Sequence, residues 1–180
     1  MVDLNNDGVG DVPADQNNDS EIQISEAEAI NSLEINDLTS IESLRGIESF
    51  TNLNGLFCQE TSIRNLDKDL RYNLELQKLR CLNIQDPELN FSNNSSLQYL
   101  ICGANDLETL NVIQNTELLE LNVSGSSLSS IDLSENINLR RLKIKNSQLK
   151  TLDVSQNTLL LYLSVDNTRI TEVDLRSNPI

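Results

Sequence analysis

Leu118-Leu119-Glu120-Leu121-Asn122-Val123 returns twenty-one residues on as Leu139-Arg140-Arg141-Leu142-Lys143-Ile144, then as Leu160-Leu161-Tyr162-Leu163-Ser164-Val165. Twenty-one residues before it stands Leu97-Gln98-Tyr99-Leu100-Ile101-Cys102, and before that Leu76-Gln77-Lys78-Leu79-Arg80-Cys81. At a spacing of twenty-three comes Leu53-Asn54-Gly55-Leu56-Phe57-Cys58, preceded by a degenerate copy at Ile30-Asn31-Ser32-Leu33-Glu34-Ile35. A constant period carrying the same apolar positions is the signature of stacked coils. Each coil buries its leucines only against its neighbours. About seven coils are expected.

Each coil has a second apolar pair on its far side: Leu89/Phe91, Leu110/Val112, Ile131/Leu133, Leu152/Val154 and Val173/Leu175. Apolar residues alternating over three positions have the strand period and not the helical one. Short extended segments are therefore expected on both sides of each coil, with little helix outside the N-terminal region. Asn73, Asn94, Asn115, Asn136, Asn157 and Asn178 recur every twenty-one residues. Stacking places their amides in one column, where they can serve turn carbonyls that no strand ladder satisfies.

The pattern Leu-x-x-Leu-x-Cys followed by Leu-(Asp/Asn)-Val-Ser-x-Asn resembles the internalin J-like leucine-rich repeats found in many Bacteroidetes surface proteins. In those repeats a cysteine ladder replaces one hydrophobic column. Cys58, Cys81 and Cys102 occupy the inward column that Ile35, Val123, Ile144 and Val165 fill elsewhere. The resemblance implies a leucine-rich repeat solenoid, a right-handed horseshoe that is mainly β, over residues 30–180. Ile84 and Asp86 stand where the third coil should carry Asn and Leu, so a bulged loop is expected there. The thiols are read as small buried hydrophobes, because three in one column cannot surround a tetrahedral metal.

Composition narrows the chemistry. The chain has 180 residues and no histidine, which excludes a Ser-His-Asp triad, a Cys-His dyad and a His-ligated zinc within it. Ser and Asp are frequent but fall in turns such as Asp132-Leu133-Ser134 and Asp153-Val154-Ser155, where backbone bonding accounts for them. No enzymatic activity is expected. Thirteen basic residues against 28 acidic ones give a net charge of -15, which argues against nucleic acid as a partner. No apolar run is long enough to enter a membrane.

That charge is uneven. Residues 1–50 hold twelve acidic residues and one basic (Arg45), a net of -11, leaving residues 51–180 at -4. Within this head, Asp15-Gln16-Asn17-Asn18-Asp19-Ser20-Glu21-Ile22-Gln23-Ile24-Ser25-Glu26 follows the calcium-loop template. Asp15, Asn17 and Asp19 take the first oxygen positions, Glu21 offers its carbonyl, Gln23 serves directly or through water, and Glu26 closes the loop with both oxygens. Ser20 departs from the glycine that the turn prefers. Upstream, Asp3-x-Asn5-x-Asp7-Gly8-x-x-Asp11 repeats the first half of the motif, with Val9 in the place that Glu21 takes in the other loop. These loops resemble those of EF-hands, dockerins and thrombospondin type 3 repeats. Residues 1–29 are thus expected to be a calcium-loop segment capping the first coil, with a short helix beginning near Ser25.

Outward positions of the first strand in each coil give two clusters. Phe57, Leu82, Tyr99 and Ile101 form an apolar patch beside Lys78 and Arg80. Arg141, Lys143 and Lys145 form a basic row, with Tyr162 in the next coil. Aromatic residues and arginine are what interface centres use. The resemblance implies a binding module, adhesive or recognitive, on a secreted or cell-surface bacterial protein. Its partner would be a protein or a glycan, and the last coil, which carries no evident cap, could stack on a partner. The other reading is a calcium-stiffened spacer in a larger surface protein, which would need no outer patch.

Overall fold

The computed structural model describes residue 17 and residues 23–104 and 106–179. A short helix, α1 (Ile24–Ala29), precedes the first strand, β1 (Ser32–Glu34). The strands β2 (Gly55–Phe57), β3 (Lys78–Arg80), β5 (Tyr99–Ile101), β7 (Glu120–Asn122), β8 (Arg141–Lys143) and β9 (Tyr162–Ser164) follow, one per repeat. Together they make a seven-stranded parallel sheet in chain order. The register aligns the repeat leucines, Leu33 to Leu56 to Leu79 to Leu100 to Leu121 to Leu142 to Leu163. This is a leucine-rich repeat solenoid of about six turns.

The core is a stack of leucine layers. Leu53, Leu76, Leu97, Leu118, Leu139 and Leu160 are fully buried, as are Leu56, Leu100, Leu121 and Leu142. Burying a leucine contributes roughly 1.5–3 kcal/mol. The stabilisation therefore grows coil by coil rather than residing in one centre. Both ends of the stack are less complete: Leu33, Ile35, Ile41 and Phe50 in the first coil, and Leu163, Val165, Ile170 and Val173 in the last, are only partly buried.

The asparagine column forms as expected. Each side-chain amide donates to two backbone carbonyls of the preceding coil, 21 and 24 residues back for all but the first: Asn115 Nδ2 to Asn94 O at 2.7 Å and to Phe91 O at 3.0 Å, Asn136 Nδ2 to Asn115 O and Val112 O at 2.9 Å each. Asn73, Asn94, Asn157 and Asn178 make the same kind of pair. A second column lies where the chain leaves the sheet. Asp37, Glu60, Asn83, Ala104, Gly125, Asn146 and Asn167 all have φ between 54° and 76°. The turn thus demands the left-handed region in every coil, even where the sequence supplies Glu or Ala.

Two expectations are corrected. Among the described residues, strands form on the far side in two coils only, β4 (Glu88–Asn90) and β6 (Thr109–Asn111), which pair in parallel. The segments around Ile131/Leu133, Leu152/Val154 and Val173/Leu175 keep their apolar alternation, and Leu133, Leu152 and Val154 are buried, but they are not strands. Alternation sets which side chains face inward within one coil. A ladder additionally needs the neighbouring coil within hydrogen-bond reach, and here single bonds such as Gln148 N to Leu128 O (3.0 Å) bridge the coils instead.

The bulge expected at Ile84 and Asp86 is also absent: Ile84 faces the core at 2% exposure, and the twenty-one-residue register holds on both sides of that loop, between β3 and β5 and between β4 and β6. Asp86 is 6% exposed. Its carboxylate accepts the backbone N–H groups of Asn65 (2.7 Å) and Leu66 (2.9 Å) in the preceding coil. Those donors begin α2 (Leu66–Asp69), which runs into a 3-10 turn, Leu70–Tyr72. The irregularity therefore belongs to the longer coil before it, and Asp86 satisfies its orphan donors.

Cys58, Cys81 and Cys102 are fully buried in the inward column, and none is in a disulfide. Burial pushes the Cys58 thiol up to about 12 from an ordinary 9.0. Cys81 is likewise raised, by burial first and then by the neighbouring Cys102 thiol. A raised thiol pKa holds a proton that the unfolded chain has already released, so its contribution to stability is complete below pH 9 and is lost as pH climbs toward 12. Urea unfolding of wild type and Cys58→Val across that range is expected to differ by a slope on the order of 1 kcal/mol per pH unit. Parallel curves would show that the thiolate is not excluded from the column.

Candidate binding face and N-terminal loop

Parallel pairing in register turns the outward positions of the sheet into straight rows. One row reads Lys78, Tyr99, Glu120, Arg141, Tyr162, and the next reads Phe57, Arg80, Ile101, Asn122, Lys143. Tyr99 and Tyr162 are exposed, whereas Phe57, Leu82 and Ile101 are half-buried by their neighbours. Of the four residues expected to form an exposed apolar patch, only Tyr99 is exposed. Lys78 Nζ lies 6.0 Å from the centre of the Tyr99 ring. Arg141 and Lys143 flank the Tyr162 ring at 5.1 and 5.9 Å. Each such pair is worth about 0.5–1 kcal/mol at an exposed site.

The basic row is assembled but not left bare. Lys143 Nζ reaches Glu120 Oε1 at 2.8 Å and Arg141 Nε reaches Glu120 Oε2 at 3.6 Å, while Lys145 Nζ meets Asp166 Oδ2 at 2.9 Å. Glu120 was not singled out from sequence, because its pairing depends on the row across coils and not on its own coil. Lys143 and Glu120 are half-buried, whereas Arg141 and the Lys145–Asp166 pair are more open to solvent, where ion pairs contribute little to stability. Their effect is electrostatic: the face alternates in sign along the solenoid axis and is not a positive strip. Far from the sheet, Ser134 N and Ser155 N donate to Asp132 Oδ1 (3.0 Å) and Asp153 Oδ1 (2.9 Å), which also hold both carboxyls below their ordinary range. These side chains are engaged in turns.

Three of the candidate calcium ligands fall among the described residues, and they converge. Glu26 Oε1 accepts the Asn17 backbone N–H at 3.1 Å, and Oε2 accepts that of Gln23, also at 3.1 Å. Asn17 Nδ2 donates to Gln23 Oε1 at 2.9 Å. Glu26 is 8% exposed and forms a capping box with Gln23 at the start of α1. Asp15, Asp19, Glu21 and the whole upstream set of Asp3, Asn5, Asp7, Val9 and Asp11 lie outside the described residues. Among the described residues there is no group of three acidic or thiol side chains placed to hold a metal. No helix there is long and apolar enough to cross a membrane.

The sequence matches no protein-family model and no curated protein sequence. Solved structures do share the fold. The functional domain of internalin J from Listeria monocytogenes, described as including a cysteine ladder, is 23% identical, with a TM-score of 0.53 over 87% of this chain and 44% of that one. A leucine-rich repeat protein of Leptospira interrogans is 16% identical, with a TM-score of 0.68 over 83% and 46%. Internalin C2 of Listeria monocytogenes is 15% identical, with a TM-score of 0.56 over 87% and 79%. The chain thus spans less than half of the first two. At these identities the likeness establishes the solenoid and nothing finer.

Proposed function

We propose that this chain is a non-catalytic, protein-binding repeat module of a secreted or cell-surface bacterial protein, acting in adhesion or recognition. The observation that carries this reading is the outward face of the seven-stranded sheet. On it Tyr99 and Tyr162 stand beside cations, with Phe57 and Ile101 half-buried on the same face. Rigid aromatic side chains flanked by Arg and Lys supply contact area at low entropic cost, which is what interface centres use. A spacer requires no such face.

Calcium enters this reading as a structural ion. Asn17, Gln23 and Glu26 are already drawn together, and the acidic head would lose its self-repulsion once a divalent cation neutralised it. The cap so ordered would cover the first coil, where Leu33, Ile35, Ile41 and Phe50 line an apolar groove of about 650 Å³. Millimolar extracellular calcium suits loops of this kind.

One experiment tests both halves. Surface proteins are captured on the immobilised chain with calcium and with chelator, using wild type and the Tyr99→Ala/Tyr162→Ala variant. A partner retained by wild type and weakened at least ~10-fold in the variant is expected, since centrally placed aromatics carry more than about 1.4 kcal/mol each. Calcium is expected to raise the melting temperature and protease resistance of both proteins alike. Equal retention by the variant would remove the sheet-face reading, and a melting temperature indifferent to calcium would remove the cap.

A further inference from the structure

The repeat leucines are twenty-three residues apart in the first two coils (Leu33, Leu56, Leu79) and twenty-one thereafter (Leu79, Leu100, Leu121). Insertions in repeat proteins gather on one face, often the one that binds. Here the longer coils flank a groove of about 580 Å³ between residues 42–48 of the first coil and α2 with its 3-10 turn in the second. None of its lining residues belongs to the seven-stranded sheet.

Four cations meet in this groove: Arg45, Arg64, Lys68 and Arg71. Among the described residues none of them forms an ion pair, whereas the cations of the sheet row do. Neutral acceptors hold three of them: Arg64 Nη2 donates to Gln85 Oε1 (2.8 Å), Lys68 Nζ to Asn65 Oδ1 (2.5 Å), and Arg71 Nη1 to the Lys68 carbonyl (2.9 Å). Such contacts orient a cation without neutralising it. Two of the three carboxylates in the groove accept from donors of the first coil: Asp69 Oδ2 accepts the Leu44 N–H at 2.7 Å and the Ser43 hydroxyl at 3.1 Å, and Glu48 Oε2 accepts the Gly46 N–H at 3.0 Å. The third, Glu42, is exposed at the rim.

Tyr72, 59% exposed, lies beside these cations with the Arg71 guanidinium 4.7 Å from its ring centre. No aliphatic side chain lines the groove.

We propose that this groove binds a short acidic oligosaccharide, its carboxylates or sulfates held by Arg45, Arg64, Lys68 and Arg71 and one sugar face resting on Tyr72. A peptide draws affinity from apolar anchors, for which the groove has no pocket, whereas a sugar is polar at its rim and flat on one face. A long polyanion meets the net charge of -15. A short one meets mainly the charges within a Debye length of about 8 Å, where four cations outnumber the three groove carboxylates.

The test is calorimetric and NMR titration of the whole chain with a uronic-acid tetrasaccharide, its neutral counterpart and hexaglutamate. The acidic sugar is expected to bind, to shift amide signals of residues 42–48 and 64–72, and to weaken at least ~10-fold in Arg64→Gln/Arg71→Gln and several-fold in Tyr72→Ala. The sheet variant Tyr99→Ala/Tyr162→Ala is expected to bind it like wild type, which separates this site from the face proposed above. Arg64 and Arg71 are exposed, so the double variant is expected to keep its melting temperature. No binding of the acidic sugar at millimolar concentration, undiminished binding by the double variant, equal binding of the neutral sugar, or hexaglutamate binding as tightly would each overturn the proposal.

Discussion

Asn115→Asp is expected to unfold at markedly lower urea than wild type at pH 7, a loss of ~4 kcal/mol. Asn115 is fully buried. Its amide nitrogen supplies hydrogens to Phe91 O and Asn94 O, and its Oδ1 accepts none. Replacing the NH2 by oxygen sets a carboxylate against two carbonyl oxygens, where each accepts and nothing donates. The charge has no partner in the column, because the next amide, Asn136, already directs its hydrogens to Val112 O and Asn115 O. Asn178→Asp is the internal comparison. It makes the same pair of bonds, to Val154 O at 3.1 Å and Asn157 O at 2.9 Å, in a partly buried setting. Asn178 is half-buried where Asn115 is fully buried, so its loss is expected to be under half as large, roughly 1–2 kcal/mol. Equal losses at the two positions would mean that the column's contribution does not depend on burial.

Gly103→Ala is expected to be nearly as damaging, by roughly 3 kcal/mol, although it adds one methyl group. A Cβ at this position would overlap the Ser124 carbonyl oxygen and crowd Ser124 N at 3.0 Å. That oxygen cannot retreat freely, because it accepts the Ala104 N–H at 2.7 Å in the bond that joins the two coils. Gly125 is a different case. Its φ of 76° places it in the left-handed column, where Asn146 and Asn167 occupy equivalent positions with φ of 54°. The added Cβ would lie 3.2 Å from Ala104 Cα, close but not overlapping. Gly125→Asn is therefore expected to cost about 1 kcal/mol or less. Thermal unfolding of the two variants side by side checks this ranking, and the reverse order would show that conformation, not space, limits both glycines.

Position 103 illustrates how far the repeat can be read. Its register equivalents are Leu82, Ser124 and Lys145, all with side chains. The sequence therefore makes it an ordinary outward site, and only the approach of the neighbouring coil reveals the missing room. The same holds for charge. Arg141, Lys143 and Lys145 are legible as a basic row because their own strand alternates. Their neutralisation by Glu120 and Asp166 requires side chains twenty-one or twenty-three residues away to reach across the ladder. Arg45, Arg64, Lys68, Arg71 and Tyr72 had one trace in the sequence, the twenty-three-residue spacing of the first two coils. That spacing locates an insertion without saying which side chains it gathers.

By itself, then, the sequence determined the period, the inward leucine and cysteine columns, the asparagine column and the alternation of faces. Each of these is a property of one coil repeated, and burial in a stack selects it at every copy. The tertiary structure decided what depends on the distance and register between coils. It limited the far-side ladder to β4 and β6, put Asp86 onto the donors of α2, buried Gly103 against Ser124, and left four cations of one groove outside ion-pair contact while pairing those of the sheet. A periodic pattern carries no record of such distances, because hydrogen bonds and ion pairs between coils act over a few ångströms while the repeat only counts residues.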